Sequence, residues 1–387
     1  MRRESISLTS IRGFAALWVA CYHFQHNLEQ LGYNLWPHFN WSFFGYIGVD
    51  IFFVLSGFIL TAVYRGLAWR NVGAFLTRRG FRIYPMHLAV LGGMLLLWLD
   101  AYFRYHVINP TQPLLWLPVC ALLLQPFFYH GLLWNAVTWS LSVEFVCYFA
   151  FPFAIMAFRR APLLVLVPLI LVLGAIEHHL QIYDLNIWGR DAVARGLVGF
   201  GLGMMLRLAS ERIPAPSALL ASLVECLALG GIILCACFPG PPGHGGGAFI
   251  PLFAALLILG ISYERGIIAW VLNARVCLWL GKISFSLYLL HENVIGVIWM
   301  RFPPTRLPFG HYANGLIWTV AVLLLCLALA TVTWLLIEEP FRRMGGRVAR
   351  RMERNIPKPV APSLPEGDAQ PQAAPLPENA EAAVLRV

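Results

Sequence analysis

"TSIRGFAALWVACYHFQHNLEQ", Thr9 to Gln30, has the length and apolar content of a membrane span, yet Arg12 sits near its start and His23 near its end. An ionisable group at bilayer depth costs roughly 2.5–3.5 kcal/mol on insertion scales. The two residues stand eleven positions apart. At about 100° per residue, eleven steps return to within about 20° of the starting direction, so both lie on one face, about 16 Å apart along the axis. One stripe of one helix thus carries a cation near one side of the membrane and an imidazole well inside it.

The rest of the chain supports a membrane setting. Of its 387 residues 59% are hydrophobic and only 12% charged, against a usual charged share of about 25%. Several apolar runs have span length, which a soluble domain of this size would not need. The fold class expected is therefore all-α, a polytopic helical membrane protein. A net charge of +9 would suggest nucleic acid in a soluble protein; here it reads as loops biased toward one side of a membrane, with no nucleic-acid partner. The cysteines lie mostly in apolar segments (Cys21, Cys120, Cys147, Cys226) without a CxxC pair, and read as small buried residues. Met1-Arg2-Arg3 reads as a positive-inside anchor rather than a twin-arginine export signal, because the apolar stretch is too long for a signal h-region.

Candidate spans cover 8–28, 42–63, 82–102, 136–158, 162–180, 191–209, 217–238, 247–263, 276–300 and 314–338. A further apolar piece, 113–128, is short and broken by Pro118 and Pro126. If it does not span, Arg65/Arg70/Arg78/Arg79, Arg159/Arg160, Arg207/Arg212, Arg265/Arg275 and Arg342/Arg343/Arg347 all fall on one side with Arg2 and Arg3. The positive-inside rule then gives ten spans with both termini cytoplasmic, and 113–128 re-entrant or at the outer face. Residues 1–343 form the membrane domain. From 344 the chain is basic, and beyond Arg354 it turns rich in Pro, Ala and Glu and reads as a disordered cytoplasmic tail.

On this topology His23, Asp50, Glu144 and His291, from four helices, come to a similar depth in the outer half. Each alone could be a hydrogen-bonded structural residue; four at one level point to a site, because intramembrane ionisable groups usually mark pathways or sites. A His–carboxylate pair suits general-base work, the carboxylate fixing the tautomer while the other nitrogen takes a proton. His23 with Glu144 or Asp50 could do this, and the sequence does not choose. Ser140 and Ser142 precede Glu144 as candidate orienting donors. Lys282 and His291 bound the stretch "KISFSLYLLH" as supporting residues.

"FLTRRGFRIYP", 75–85, packs Arg78, Arg79 and Arg82 into a loop before the third span, with Tyr84-Pro85 starting the helix. Their ordinary role is topological or attractive to lipid headgroups; arginine forks also clamp phosphate bidentately. Weaker signals carry no site. His178-His179 are adjacent and do not share a helical face, so no metal is expected, and "GPPGHGGG" lacks a P-loop's strand and lysine. Glu338-Glu339-Pro340 reads as the stop of the last span.

Six stretches in order resemble acyltransferase family 3, bacterial integral-membrane enzymes that O-acylate surface carbohydrates and some other acceptors: "IRGFAALWVACYHF", "GVDIFFVLSGFIL", "RRGFRIYP", "TWSLSVEF", "SFSLYLLH" and "EEPFRR". The resemblance implies the bacterial cytoplasmic membrane, an acyl-CoA donor bound from the cytoplasm with no permanent cofactor, and a carbohydrate or lipid-linked glycan acceptor. It implies that His23 and Glu144 are central to catalysis and that Arg12 with Arg79 and Arg82 serve the donor. Some relatives carry an extracellular esterase-like domain; none is read here, so the acyl group would reach its acceptor without one. The alternative from another class is a proton-coupled transporter of an anionic or sugar-like solute, using the same buried residues as a relay. The absence of two-half symmetry in the spans speaks against it.

Overall fold

The computed structural model describes residues 5–30, 32–33, 45–106, 112–128, 132–160, 192–237 and 249–354, and among these there is helix but no strand. The helices are α1 (Ile6–Glu29), α2 (Gly48–Tyr64), α3 (Val72–Tyr105), α4 (Leu117–Ala121), α5 (Gln125–Phe128), α6 (Thr138–Arg160), α7 (Ala192–Ser210), α8 (Ala218–Cys237), α9 (Ile250–Ser262), α10 (Ile267–Leu272), α11 (Arg275–Arg301), α12 (His311–Thr333) and α13 (Glu339–Arg354). Seven helices among the described residues are long and apolar enough to cross a membrane. The 24-residue α1 is long enough as well, but its polar residues, Arg12, His23, Gln25 and His26 among them, keep it below that hydropathy. The span expected at 162–180, with His178-His179, lies outside the described residues, as do the glycine-rich stretch and the tail beyond Arg354.

Three expectations change. The arginines of 78–82 lie on α3 itself, not in a loop before it, and Pro85 lies within that helix rather than at its start. At 34 residues, α3 is about 51 Å long against a hydrocarbon core of about 30 Å. Its N-terminal turns can therefore project with their arginines while the helix continues, and Pro85 removes only one donor from a helix that neighbours hold. Glu338-Glu339-Pro340 does not stop the last span. A π-turn over Trp334–Glu338 links α12 to α13, and a wider turn just before Pro340 absorbs the missing N–H that would otherwise break the ladder. Finally, α9 covers 13 residues, about 20 Å, which is short for a full span. The segment 113–128 contains a 3-10 turn (Leu114–Trp116), α4 and α5, none longer than five residues. It makes no spanning helix.

Three glycines set the packing around the site. A Cβ on Gly281 of α11 would run into the Thr9 carbonyl oxygen, and one on Gly13 of α1 would lie 2.6 Å from the Leu280 carbonyl carbon. The α1 and α11 backbones therefore touch, as small residues allow in membranes. On α7, Gly203 lies against the Val54 carbonyl of α2 in the same way. At one end of the bundle Arg65, after α2, pairs with Glu211, after α7. The Ile6 amide donates to Glu264 beyond α9 at 3.0 Å, and Arg78 meets Glu353 of α13.

Candidate active site

Arg12 of α1, Arg79 and Arg82 of α3, Ser140 and Glu144 of α6 and Tyr288 of α11 line one cavity. Arg79 is held between two rings, its Cζ 5.7 Å from the centroids of both Tyr64 and Tyr148. Its Nε is buried and has no hydrogen-bond partner among the described residues. Arg82 stacks over Phe285 at 6.0 Å. A buried guanidinium nitrogen without a partner is costly, and an anion entering this cavity would satisfy it. Arg78 faces elsewhere. Its two terminal nitrogens donate to the two carboxylate oxygens of Glu353 at 2.8 and 2.7 Å, so its fork is already occupied.

Glu144 lies on the arginine side. Its Oε1 accepts from Ser56 Oγ at 3.0 Å and from Tyr148 Oη at 2.6 Å. Neither serine expected to orient it does so. Ser142 donates back to the Thr138 carbonyl within its own helix. Ser140 shares a 2.6 Å hydrogen bond with Tyr288 Oη, and both hydroxyls also reach the Val137 carbonyl at 3.1 Å.

Beyond Tyr288 stands the histidine pair. The Tyr288 ring is 5.9 Å from that of His291, which is 5.1 Å from that of His23. The carboxylate beside His23 is neither Glu144 nor Asp50 but Glu292, with Oε1 4.0 Å from His23 Nδ1. Asp50 is engaged with Arg195 of α7 through two hydrogen bonds of 2.8 and 2.6 Å, both side chains 1% exposed. Arg195 also reaches the Tyr46 carbonyl and lies over Trp139. Lys282 is exposed on α11.

The family described as "Acyltransferase domain", acyltransferase family 3, matches residues 5–336. The chain belongs to that family. Among curated proteins this acyltransferase-family chain is similar to YrhL of Bacillus subtilis (strain 168), 26% identical over 373 residues, covering 88% of this chain and 55% of that one. It is similar to the acyltransferase MdmB of Streptomyces mycarofaciens, 33% identical over 40% of each chain. It is also similar to the O-acetyltransferase OatA of Staphylococcus aureus (strain NCTC 8325 / PS 47), 23% identical over 87% of this chain and 57% of OatA. The chain therefore spans little more than half the length of the first and third of these relatives. No solved structure is detectably similar.

Sequence reasoning about this family member missed Arg195, Glu292, Tyr148 and Tyr288. Arg195 had a visible signal, a cation in the first turns of an apolar helix, which demands a buried counter-ion. Glu292 stood next to a chosen histidine, and its proximity to His23 depends on helix crossing, which no spacing rule carries. The buried Glu338 was also passed over; it accepts from Ser286 Oγ at 2.8 Å at the end of the π-turn.

Proposed function

We propose that the protein is a membrane-bound O-acyltransferase of the bacterial cytoplasmic membrane. It moves an acyl group, acetyl in the simplest case, from cytoplasmic acyl-CoA to a hydroxyl of a carbohydrate or lipid-linked glycan at the outer side. The observation that carries this reading is the cavity with three arginines and the unpartnered Arg79 Nε at one end and the histidine pair beyond its other end. The phosphates of the donor lie against Arg12, Arg79 and Arg82, and the thin arm runs along the α1 stripe toward His23. The acceptor hydroxyl attacks the thioester carbonyl and gives its proton to His23 Nε2. The C–S bond then breaks, and the thiolate takes that proton as it leaves. Glu144, on the arginine side, balances charge in the cavity and is not the partner of His23. Topology belongs to the same proposal: ten spans, with both termini cytoplasmic.

Single cysteines at Arg70 and Lys358, in a background without the native cysteines, test the topology. Both are expected to resist a membrane-impermeant reagent applied from outside, and outside labelling at position 358 overturns it.

The donor site predicts a split among neighbouring arginines. Arg79→Ala and Arg82→Ala each remove charge-assisted hydrogen bonds of about 1.5–3 kcal/mol, which raises the Kd for acetyl-CoA by about tenfold or more. Arg79→Lys restores only part, since lysine lacks the fork. Arg78→Ala leaves donor affinity unchanged because Glu353 already holds its fork. Calorimetry on the purified protein reads all four. Equal losses at 78, 79 and 82 would return the cluster to a general surface charge. In liposomes, loss of acetyl-CoA thioester supports the enzyme, and solute flux without it supports a carrier.

A further inference from the structure

Three groups beyond Tyr288 have more acceptor atoms than donors. His291 Nδ1 lies 3.1 Å from the Leu287 carbonyl, which can only accept, so this nitrogen carries the proton and Nε2 is left with a lone pair. That Nε2 is buried and has no partner among the described residues. Glu292 Oε2 is likewise buried without a partner among them, while its Oε1 faces His23. Two orphaned acceptors beside a half-buried imidazole lack hydrogen-bond donors, and a buried polar atom left in this state is costly. A ligand that brings hydroxyl groups supplies those donors. A ligand that brings another anion does not, and meets Glu292.

We infer that Glu292 is the positioning carboxylate of this site, holding His23 through Nδ1 so that Nε2 faces the acceptor. The inference rests on the acyl-transfer reading above for the role of Nε2. It changes the carboxylate partner from the one the motifs suggest, and it places the acceptor on the α1–α11 side of Tyr288. A separation of 4.0 Å between Nδ1 and Oε1 is longer than a hydrogen bond, and catalytic pairs often tighten only when substrate is bound. The groups facing His23 from the described elements are Tyr22 and His26 on its own helix and His291 and Glu292 on α11. Glu292 is the one carboxylate among them.

The test uses the whole purified protein in nanodiscs and diethyl pyrocarbonate, which modifies the unprotonated imidazole, with the modified residue located by fragmentation mass spectrometry. An opposite charge within about 4–6 Å moves a titration by about one unit or more. The half-point of His23 modification in Glu292→Gln should therefore fall by about one pH unit below wild type, and Glu292→Asp should recover part of the difference. The same half-point in both proteins overturns the inference. Acetyl-CoA turnover gives the second reading. Glu292→Gln should lower kcat with KM for acetyl-CoA unchanged, because Glu292 stands outside the arginine cavity, and a raised KM with unchanged kcat also overturns it. If wild type shows no thioester turnover, the acyl-transfer reading fails, while the modification profile still decides whether Glu292 governs His23.

Discussion

Replacing His23 by glutamine lowers acyl transfer by roughly 10²–10⁴-fold and leaves acetyl-CoA binding and the melting temperature unchanged. The chemical argument is that glutamine cannot take the hydroxyl proton. The structural argument is that, among the described residues, the His23 ring makes no short hydrogen bond whose loss would unfold anything, Glu292 Oε1 standing 4.0 Å from its Nδ1. Donor binding survives because the arginines lie on the far side of Tyr288. Coupling separates the two carboxylates. Adding Glu292→Gln to His23→Gln should cost little more, since the pair acts as a unit. Adding Glu144→Gln should multiply the losses, since that residue serves the other half of the site. Steady-state kinetics of these three variants and of the single Glu292→Gln and Glu144→Gln variants, with thermal melts of each, check this. Transfer by His23→Gln at near wild-type rate would overturn the mechanism and make His291 the next residue to replace.

The second large effect falls on stability. Asp50→Ala leaves the Arg195 guanidinium, 1% exposed, without its carboxylate, and breaking a buried pair from one side costs about 3–5 kcal/mol. Arg195→Ala strands Asp50 in the same way. The double replacement Asp50→Leu with Arg195→Met removes both charges and should recover most of the loss, because well-packed apolar pairs do as well as buried ion pairs. Thermal unfolding in detergent reads the three variants. If Asp50→Ala melts with wild type while losing activity, the pair is not a structural tie between α2 and α7, and Asp50 regains the catalytic role that its depth suggested.

The helical class and the residues of the first helix were legible because they depend on local rules. An apolar run with ionisable groups eleven apart defines a stripe, and the structure keeps Arg12 on the cavity and His23 beside His291. Pairing was not legible. Which carboxylate meets His23 depends on the rotation of α6 and α11 about their axes, and rotation is fixed by contacts such as Gly281 on Thr9 that involve residues far apart in sequence. The helix ends failed for a different reason. Pro85, read as a helix start, and Pro340, read as a stop, are boundary signals in water, but in a bundle neighbouring helices and a π-turn can accommodate them.

The glycine contact between α1 and α11 makes the site a ruler. Helices whose backbones touch cannot slide past each other without a carbonyl meeting a Cα, so the Tyr288–His291 face of α11 stays in register with α1. Arg12 and His23 share α1, and their spacing of about 16 Å is a property of the helix itself. The two ends of the site thus keep one separation however the outer helices move. On the proposed reading, a donor is measured by the length between its anionic end and its carbonyl. One whose acyl group hangs from a shorter arm can engage the arginines or the imidazole, but not both at once.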